Sequence, residues 1–234
     1  TLPSSSAGRL SRPARDTVRL VESPTEVPVG AVVARTGTRV DSQPVGTQPS
    51  TVGGVPSRDR RRTIRSVYVT SAEGHTGKSS IALGLVELFA AQVRVGVFRP
   101  IARSDDEPDS VLTLLLQHDS ADLDYDQCIG VTYEDVHADP EAALGEIVRR
   151  YRAMAELCDV VVIVGSDYTD VAGPTELSYN TRIATNLGSV VVLVVSALNR
   201  SVEDVRQMVD MAGAEIAAGH AEVVAVVANR ADPD

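Results

Sequence analysis

Short, nearly continuous runs of Val, Ile and Leu recur along the chain from Ser66 onward, and they limit its fold more than any other feature. The clearest runs span residues 159–165, 189–196 and 222–228. Continuous apolar runs are typical of strands that are buried on both faces of a parallel sheet, and here segments with a helical apolar period separate them. The pattern predicts an α/β domain of three layers, with helices on both sides of a mostly parallel sheet.

The remaining elements follow from local signals. Further strands are predicted at 66–71, 94–98 and 128–133. Helices are predicted at 78–92, 109–117, 176–187 and 202–218, the last one capped by Ser201. Asp139-Pro140-Glu141 marks another helix start, because Asp caps free amide groups and Pro at the first helical position loses no hydrogen bond.

Residues 1–65 differ from the rest in composition. They are rich in Ser, Thr, Pro, Gly and Arg and contain no Tyr, Phe or Trp. With 11 arginines and 5 acidic residues this segment carries a charge of +6, which leaves −16 for residues 66–234. We therefore predict a disordered leader at 1–65 and a folded, acidic domain at 66–234. An Arg- and Ser-rich start also suits an organellar transit peptide.

The composition also narrows the function classes. A domain this acidic repels a phosphate backbone, so no nucleic acid is expected as its partner. The longest apolar run, Val190 to Val195, is too short to cross a bilayer, and no membrane association is expected. Cys128 and Cys158 have no metal-ligand or disulfide spacing, which favours buried thiols and a cytoplasmic location.

The first predicted strand leads directly into Ser71-Ala72-Glu73-Gly74-His75-Thr76-Gly77-Lys78-Ser79-Ser80, where a helix begins. This is the context of a P-loop, in which backbone amide groups and a helix N-terminus surround phosphate groups, a Lys reaches them and a hydroxyl binds Mg²⁺. Lys78 is the only lysine among 22 basic residues, although Ala72 replaces the first glycine of the pattern. The predicted nucleotide-binding residues of this P-loop are Gly74, His75, Thr76, Gly77, Lys78, Ser79 and Ser80. His75 could equally be a solvated side chain without a ligand.

Three polar residues follow predicted strands and extend the candidate site. Arg99 follows the second strand and either faces the ligand crevice or fixes a surface turn. Asp167 follows the strand at 159–165 and either holds Mg²⁺ or forms a turn. Asn229 ends the last strand and either pairs with the edge of an adenine or forms a turn.

Five segments together resemble a known family. They are Thr-Gly-Lys-Ser at 76–79, Gly-Val-Phe-Arg-Pro-Ile at 96–101, Gly-Val-Thr-Tyr-Glu-Asp-Val-His at 130–137, Val-Gly-Ser-Asp-Tyr-Thr at 164–169 and Asn-Arg-Ala-Asp-Pro at 229–233. In the same order they resemble the amino-terminal P-loop domain of the long-form bacterial phosphate acetyltransferases, especially the actinobacterial ones. The resemblance covers 66–234, and that domain is in turn similar to dethiobiotin synthetase.

The resemblance implies a division of labour. In long-form phosphate acetyltransferases a carboxyl-terminal domain exchanges an acetyl group between coenzyme A and phosphate, and the 234 residues do not contain that domain. The first residue is Thr rather than Met, which indicates a fragment or a processed product. The resemblance implies a regulatory region that binds ATP or a related nucleotide with Mg²⁺. Its partners would be its own acetyltransferase domain, where coenzyme A binds, and further copies in a homo-oligomer.

Comparison with dethiobiotin synthetase implies binding without catalysis. Lys78 and Ser79 match the residues that bind phosphate and metal there, and Asp109 matches a second metal ligand. Arg99 replaces a substrate-facing Lys, and Val164 stands where a metal-binding Glu is expected. Loss of that carboxylate should impair phosphoryl transfer while phosphate binding survives, so no catalytic residue is predicted. Two alternatives remain, namely an ATP-dependent carboxylase or ligase and an interaction module with a vestigial P-loop.

Overall fold

The computed structural model describes residues 66–104, 107–166 and 176–232. The strands in these ranges are β1 (Ser66–Thr70), β2 (Val95–Ala102), β3 (Ile129–Thr132), β4 (Val160–Val164), β5 (Val190–Ser196) and β6 (Glu222–Asn229). The helices in these ranges are α1 (Lys78–Ala90), α2 (Ser110–Leu115), α3 (Tyr125–Cys128), α4 (Tyr133–Ala138), α5 (Pro140–Ala155), α6 (Glu176–Leu187) and α7 (Val202–Ala218). The predicted leader, residues 1–65, lies outside the described residues.

The six strands form one parallel sheet in the order β3-β2-β4-β1-β5-β6, which confirms the predicted α/β class. The chain moves in one direction across the sheet from β1 to β3, and in the other direction from β3 to β6. Because parallel crossovers are right-handed, this reversal places the connecting helices on opposite faces. The carboxyl end of β1 lies between those of β4 and β5. The connection that follows β1 leaves on one face of the sheet, and those that follow β4 and β5 leave on the opposite face. Parallel sheets bind ligands at such a switch point.

The inner strands are buried on both faces, as their sequences predict. All five residues of β1 and all eight of β2 are buried. Helix α5 begins at Pro140 with Asp139 as its cap, as predicted, and packs Leu144, Ile147, Tyr151 and Met154 into the core. The ring of Tyr151 meets that of Phe98 edge to face at a centroid distance of 5.6 Å. Both cysteines are buried and free.

Strand β2 is longer than predicted, because Pro100 did not end it. The pairing of β2 with β4 stops at Phe98, whereas its pairing with β3 runs from Arg99 to Ala102. Pro100 therefore falls where one side of the strand has no ladder partner, and its missing N–H group costs no hydrogen bond. The prediction that Arg99 follows the strand is wrong, since Arg99 lies within it.

Two short helices, α3 and α4, were not predicted. They contain four and six residues, which is too short for an amphipathic period to emerge. Their capping residues carried the available signal, since Thr132 and Asp135 of α4 exchange hydrogen bonds at the helix start. None of the helices in the described ranges is both long enough and apolar enough to span a membrane.

Candidate phosphate-binding site

The loop between β1 and α1 has the backbone shape of an anion site. His75 and Gly77 both adopt left-handed conformations, with φ of +58° and +82°. Alternation between left- and right-handed residues turns successive N–H groups toward one concave side. A Cβ atom on Gly77 would lie 2.3 Å from the Asn229 amide nitrogen, so glycine is required here by conformation and by space.

Hydrogen bonds from the end of β6 fix the orientation of the loop peptides. The side-chain amide of Asn229 donates to the carbonyl oxygen of Thr76 at 2.8 Å. The guanidinium of Arg230 donates to the carbonyl oxygen of His75 at 3.0 Å. In a trans peptide the N–H group points opposite to the carbonyl, so the amides of Thr76 and Gly77 face away from β6. The loop is thus held in its anion-binding shape by residues 150 or more positions later in the chain.

The start of α1 is suited to a negatively charged ligand. Helix α1 has no side-chain cap and no acidic residue in its first turn, whereas α4, α5 and α7 have both. An acidic residue or an anion is what the positive end of the helix dipole favours. Lys78, the first residue of α1, is only 4% exposed, so its side chain is buried at the start of this helix.

Two buried hydroxyl groups add to this anion-binding character. The hydroxyls of Thr70 and Thr76 are buried and have no hydrogen-bond partner within the ranges that the structure describes. A buried hydroxyl without a partner costs free energy, and such groups in native proteins commonly mark a bound ligand or water. Thr76 lies in the loop itself, and Thr70 is the last residue of the strand that leads into it.

The structure brings the predicted residues of the P-loop together with Asn229. Ser79 is half-buried in the first turn of α1, while His75 and Ser80 are exposed. Gly74 has open space around it, since a Cβ atom there would meet nothing within 4 Å. Because the amide nitrogen of Asn229 binds Thr76, recognition of an adenine edge stays a prediction that depends on the amide oxygen.

Arg99 and Asp109 form a buried pair beside the carboxyl end of β4. The Arg99 Nε atom donates to Asp109 Oδ2 at 3.1 Å, and its Nη1 atom donates to the carbonyl oxygens of Val164 and Gly165. Asp109 Oδ1 caps α2 by accepting from the Leu112 amide at 2.9 Å. Arg99 is 3% exposed, so the alternative of a surface arginine is wrong.

The predicted roles of Arg99 in facing the ligand and of Asp109 in binding a metal ion stay predictions. Both carboxylate oxygens of Asp109 already accept hydrogen bonds, so a metal ion would share them with Arg99 and the cap of α2. Asp167, the other predicted metal ligand, lies outside the described residues. Within the described ranges no group of three or more His, Cys, Asp or Glu residues could hold a metal ion.

A buried asparagine on α6, which the sequence did not single out as a site residue, supports the end of β4. Asn180 Oδ1 accepts from the Tyr68 hydroxyl at 2.7 Å and from the Ser166 amide at 3.2 Å. A Cβ atom on Gly165 would lie 2.6 Å from the same oxygen, which explains the glycine. Burial strongly raises the pKa of the Tyr68 hydroxyl, so it remains a donor. The available signal was a polar residue among the core-facing positions of α6.

A family model described as an AAA domain matches residues 65–234, which include every described residue. The chain belongs to this family. Two curated relatives of the AAA domain are phosphate acetyltransferases, one from Synechocystis sp. (28% identical over 177 residues) and one from Nitratidesulfovibrio vulgaris (27% over 174 residues). These matches cover 72% and 71% of the chain, which spans about a quarter (25%) of the length of each relative.

A solved structure supports the fold of the AAA domain. The chimerical protein CapA2B2 has a TM-score of 0.50 and an identity of 18%, and the match covers 73% of the chain and 78% of that protein. At this identity the likeness shows the fold alone. It agrees with the P-loop NTPase-like sheet and helices described above.

Proposed function

We propose that this AAA domain binds ATP or a related nucleotide with Mg²⁺ and is the amino-terminal regulatory region of a phosphate acetyltransferase. The observation that carries the proposal is the P-loop itself, with left-handed His75 and Gly77, a buried Lys78 and the buried Thr76 hydroxyl. Similarity to two phosphate acetyltransferases supports the parent activity.

Different groups of the loop would bind the phosphates and the metal ion. The loop amides and the N-terminus of α1 would surround the phosphate oxygens, and Lys78 would neutralise part of their charge. The Ser79 hydroxyl would hold Mg²⁺, which keeps several water ligands and usually binds through one or two carboxylates and the substrate phosphates. A metal-binding cluster on the protein alone is therefore not required. When bound, Mg²⁺ supplies positive charge that neutralises the phosphates.

The proposed role is regulation rather than catalysis within this domain. Val164 is 1% exposed and lies in β4, where the resemblance expects a metal-binding carboxylate. Acetyl exchange between coenzyme A and phosphate would take place in the attached carboxyl-terminal domain. Nucleotide binding would shift the activity of that domain by favouring one of its states. A cytoplasmic location and a homo-oligomer complete the proposal.

The test uses the full-length protein that contains this domain. Acetyl transfer from acetyl-CoA to phosphate is measured over a range of Mg-ATP concentrations, for the wild type and for Lys78→Ala. The proposal predicts that ATP changes the wild-type rate and that the change disappears in the variant. An equal response of both proteins to ATP would refute it, because Lys78 would then not mediate the effect.

A stand-alone carboxylase or ligase makes a different prediction. It would release ADP from ATP in the presence of bicarbonate and a diamine substrate, and Lys78→Ala would abolish the release. The proposal predicts no such ADP release, because Val164 supplies no metal ligand. A vestigial P-loop predicts that ATP binds to neither protein.

A further inference from the structure

The P-loop contains an acidic residue, which is unusual in a loop that is expected to bind phosphate groups. Glu73 lies five residues before Lys78, in a loop that must accept phosphate groups. Small or neutral residues are typical of such loops, because the backbone itself has to approach the ligand. An ionised carboxylate in this loop would add negative charge close to the bound phosphates.

The structure pairs this carboxylate with an arginine from the loop that follows β5, the strand next to β1 in the sheet. Arg200, in the connection between β5 and α7, donates from Nη1 to Glu73 Oε1 at 2.5 Å and from Nη2 to Oε2 at 2.7 Å. The backbone amide of Ser196 also donates to Glu73 Oε1, at 3.3 Å. The side chains of Glu73 and Arg200 are 23% and 30% exposed, so the pair is partly shielded from water.

This bidentate pairing neutralises the Glu73 carboxylate and fixes the orientation of its side chain. Two parallel N–H···O bonds hold the carboxylate against the carboxyl end of β5. Arg200 is anchored in turn, since its Nη1 atom also donates to the carbonyl oxygen of Ser196 at 3.1 Å. The nearby acid Asp204 is committed to the cap of α7, where it accepts from the Ser201 hydroxyl and amide. Glu73 is therefore the carboxylate to which Arg200 donates.

We propose that Arg200 is a positioning residue that sets the affinity of the P-loop for polyphosphates, because it neutralises Glu73 and holds it away from the phosphate groups. This inference rests on the proposed nucleotide binding and adds a residue that lies outside the loop. Without Arg200, the Glu73 carboxylate keeps its charge in a partly desolvated loop and repels the ligand. Without both side-chain charges, the repulsion disappears as well.

The experiment is a double-mutant cycle in the full-length protein, with calorimetric titration of Mg-ATP. The variants are Arg200→Gln, Glu73→Gln and the double variant. We expect Arg200→Gln to weaken ATP binding by about tenfold. The double variant should bind within about threefold of the wild type, because the uncompensated carboxylate is gone. The loss in Arg200→Gln should be smaller for AMP than for ATP, and smaller at 0.5 M than at 0.05 M salt, as charge repulsion requires.

Two controls separate charge from folding. Arg182→Gln breaks another Arg–Glu pair, with Glu141, on the exposed side of α6, and should leave ATP affinity unchanged. Arg200→Lys keeps the charge without the fork and should restore part of the affinity. Melting temperatures of all variants are measured without nucleotide.

The outcomes distinguish the inference from the function on which it rests. Wild-type affinity in Arg200→Gln, or a double variant as weak as Arg200→Gln, would overturn the role of Arg200 and leave nucleotide binding intact. A loss of ATP affinity that only follows the loss of melting temperature would also overturn it. Absence of ATP binding by the wild type would instead overturn the proposed function, and the inference with it.

Discussion

Replacement of Asn180 by Ala should cost this domain a large part of its stability. Tyr68 is 0% exposed and Ser166 is 3% exposed, and both donate to the Asn180 side-chain oxygen. Asn180→Ala leaves these two buried donors without that acceptor, at about 1–3 kcal/mol each. The higher helix propensity of Ala offsets about 0.5 kcal/mol of this loss in the free energy of unfolding. The free energy of unfolding should therefore fall by about 2–5 kcal/mol.

A second substitution tests the cause of this loss. Tyr68→Phe in the wild type removes one hydrogen bond and should cost about 1 kcal/mol. In the Asn180→Ala background the same substitution removes a hydroxyl that has lost its acceptor, so it should be neutral or stabilising. The two substitutions should show a coupling free energy of about 1 kcal/mol or more, well above the additivity error of about 0.3–0.5 kcal/mol.

The assay is urea-induced unfolding followed by circular dichroism, with the free energy taken from the midpoint and the slope for all four proteins. Equal slopes would show that the unfolded state is unchanged. If the two losses were additive within about 0.5 kcal/mol, the direct Tyr68–Asn180 hydrogen bond would not be the cause, and the reasoning would be refuted.

Three further predictions concern the loop, the acid response and the thiols. Gly77→Ala should lose about 1–2 kcal/mol in urea unfolding, because an L-residue is strained at φ +82° and its Cβ meets Asn229, whereas Gly74→Ala should lose no more than about 0.5 kcal/mol; equal losses would contradict this. The hydrogen bond from Arg200 lowers the pKa of Glu73 from 4.5, so its stabilisation is complete above that pH and is lost as the pH falls through the lowered value. The stability difference between wild type and Glu73→Gln should therefore shrink below pH 4.5, and a constant difference would count against the ion pair. Burial raises the pKa of the Cys128 thiol to about 12, so iodoacetamide at pH 8 should label it in urea and leave it unlabelled in the folded protein; equally fast labelling of the folded protein would be the opposite result.

The elements that the sequence predicted well have strong local signals. The bounds of α6 and α7 agree with the structure because an apolar period runs through both, and Ser201 caps α7 as expected. The P-loop was predictable because strand, small residues, Lys78 and helix follow one another without interruption. Such features depend on neighbours within a few residues, which the sequence displays directly.

The features that the sequence did not predict depend on residues that meet only in the fold. Asn229 and Thr76 are 153 positions apart, and Glu73 and Arg200 are 127 apart. No local period indicates which side chain reaches a loop across a parallel sheet. The burial of Arg99 was not predicted for the same reason, since its partners lie at the start of α2 and at the end of β4. The composition of the loop gave one usable hint, because Glu73 is an acid among small residues.

The most direct test of nucleotide binding is the stability of the protein with and without Mg-ATP, for the wild type and Lys78→Ala. Each protein is compared with itself, so any effect of the substitution on folding cancels. At about 100 times the dissociation constant, ATP should raise the free energy of unfolding of the wild type by about 2.7 kcal/mol and leave that of Lys78→Ala nearly unchanged. An unchanged wild type, or an equal increase in both proteins, would contradict nucleotide binding at the P-loop.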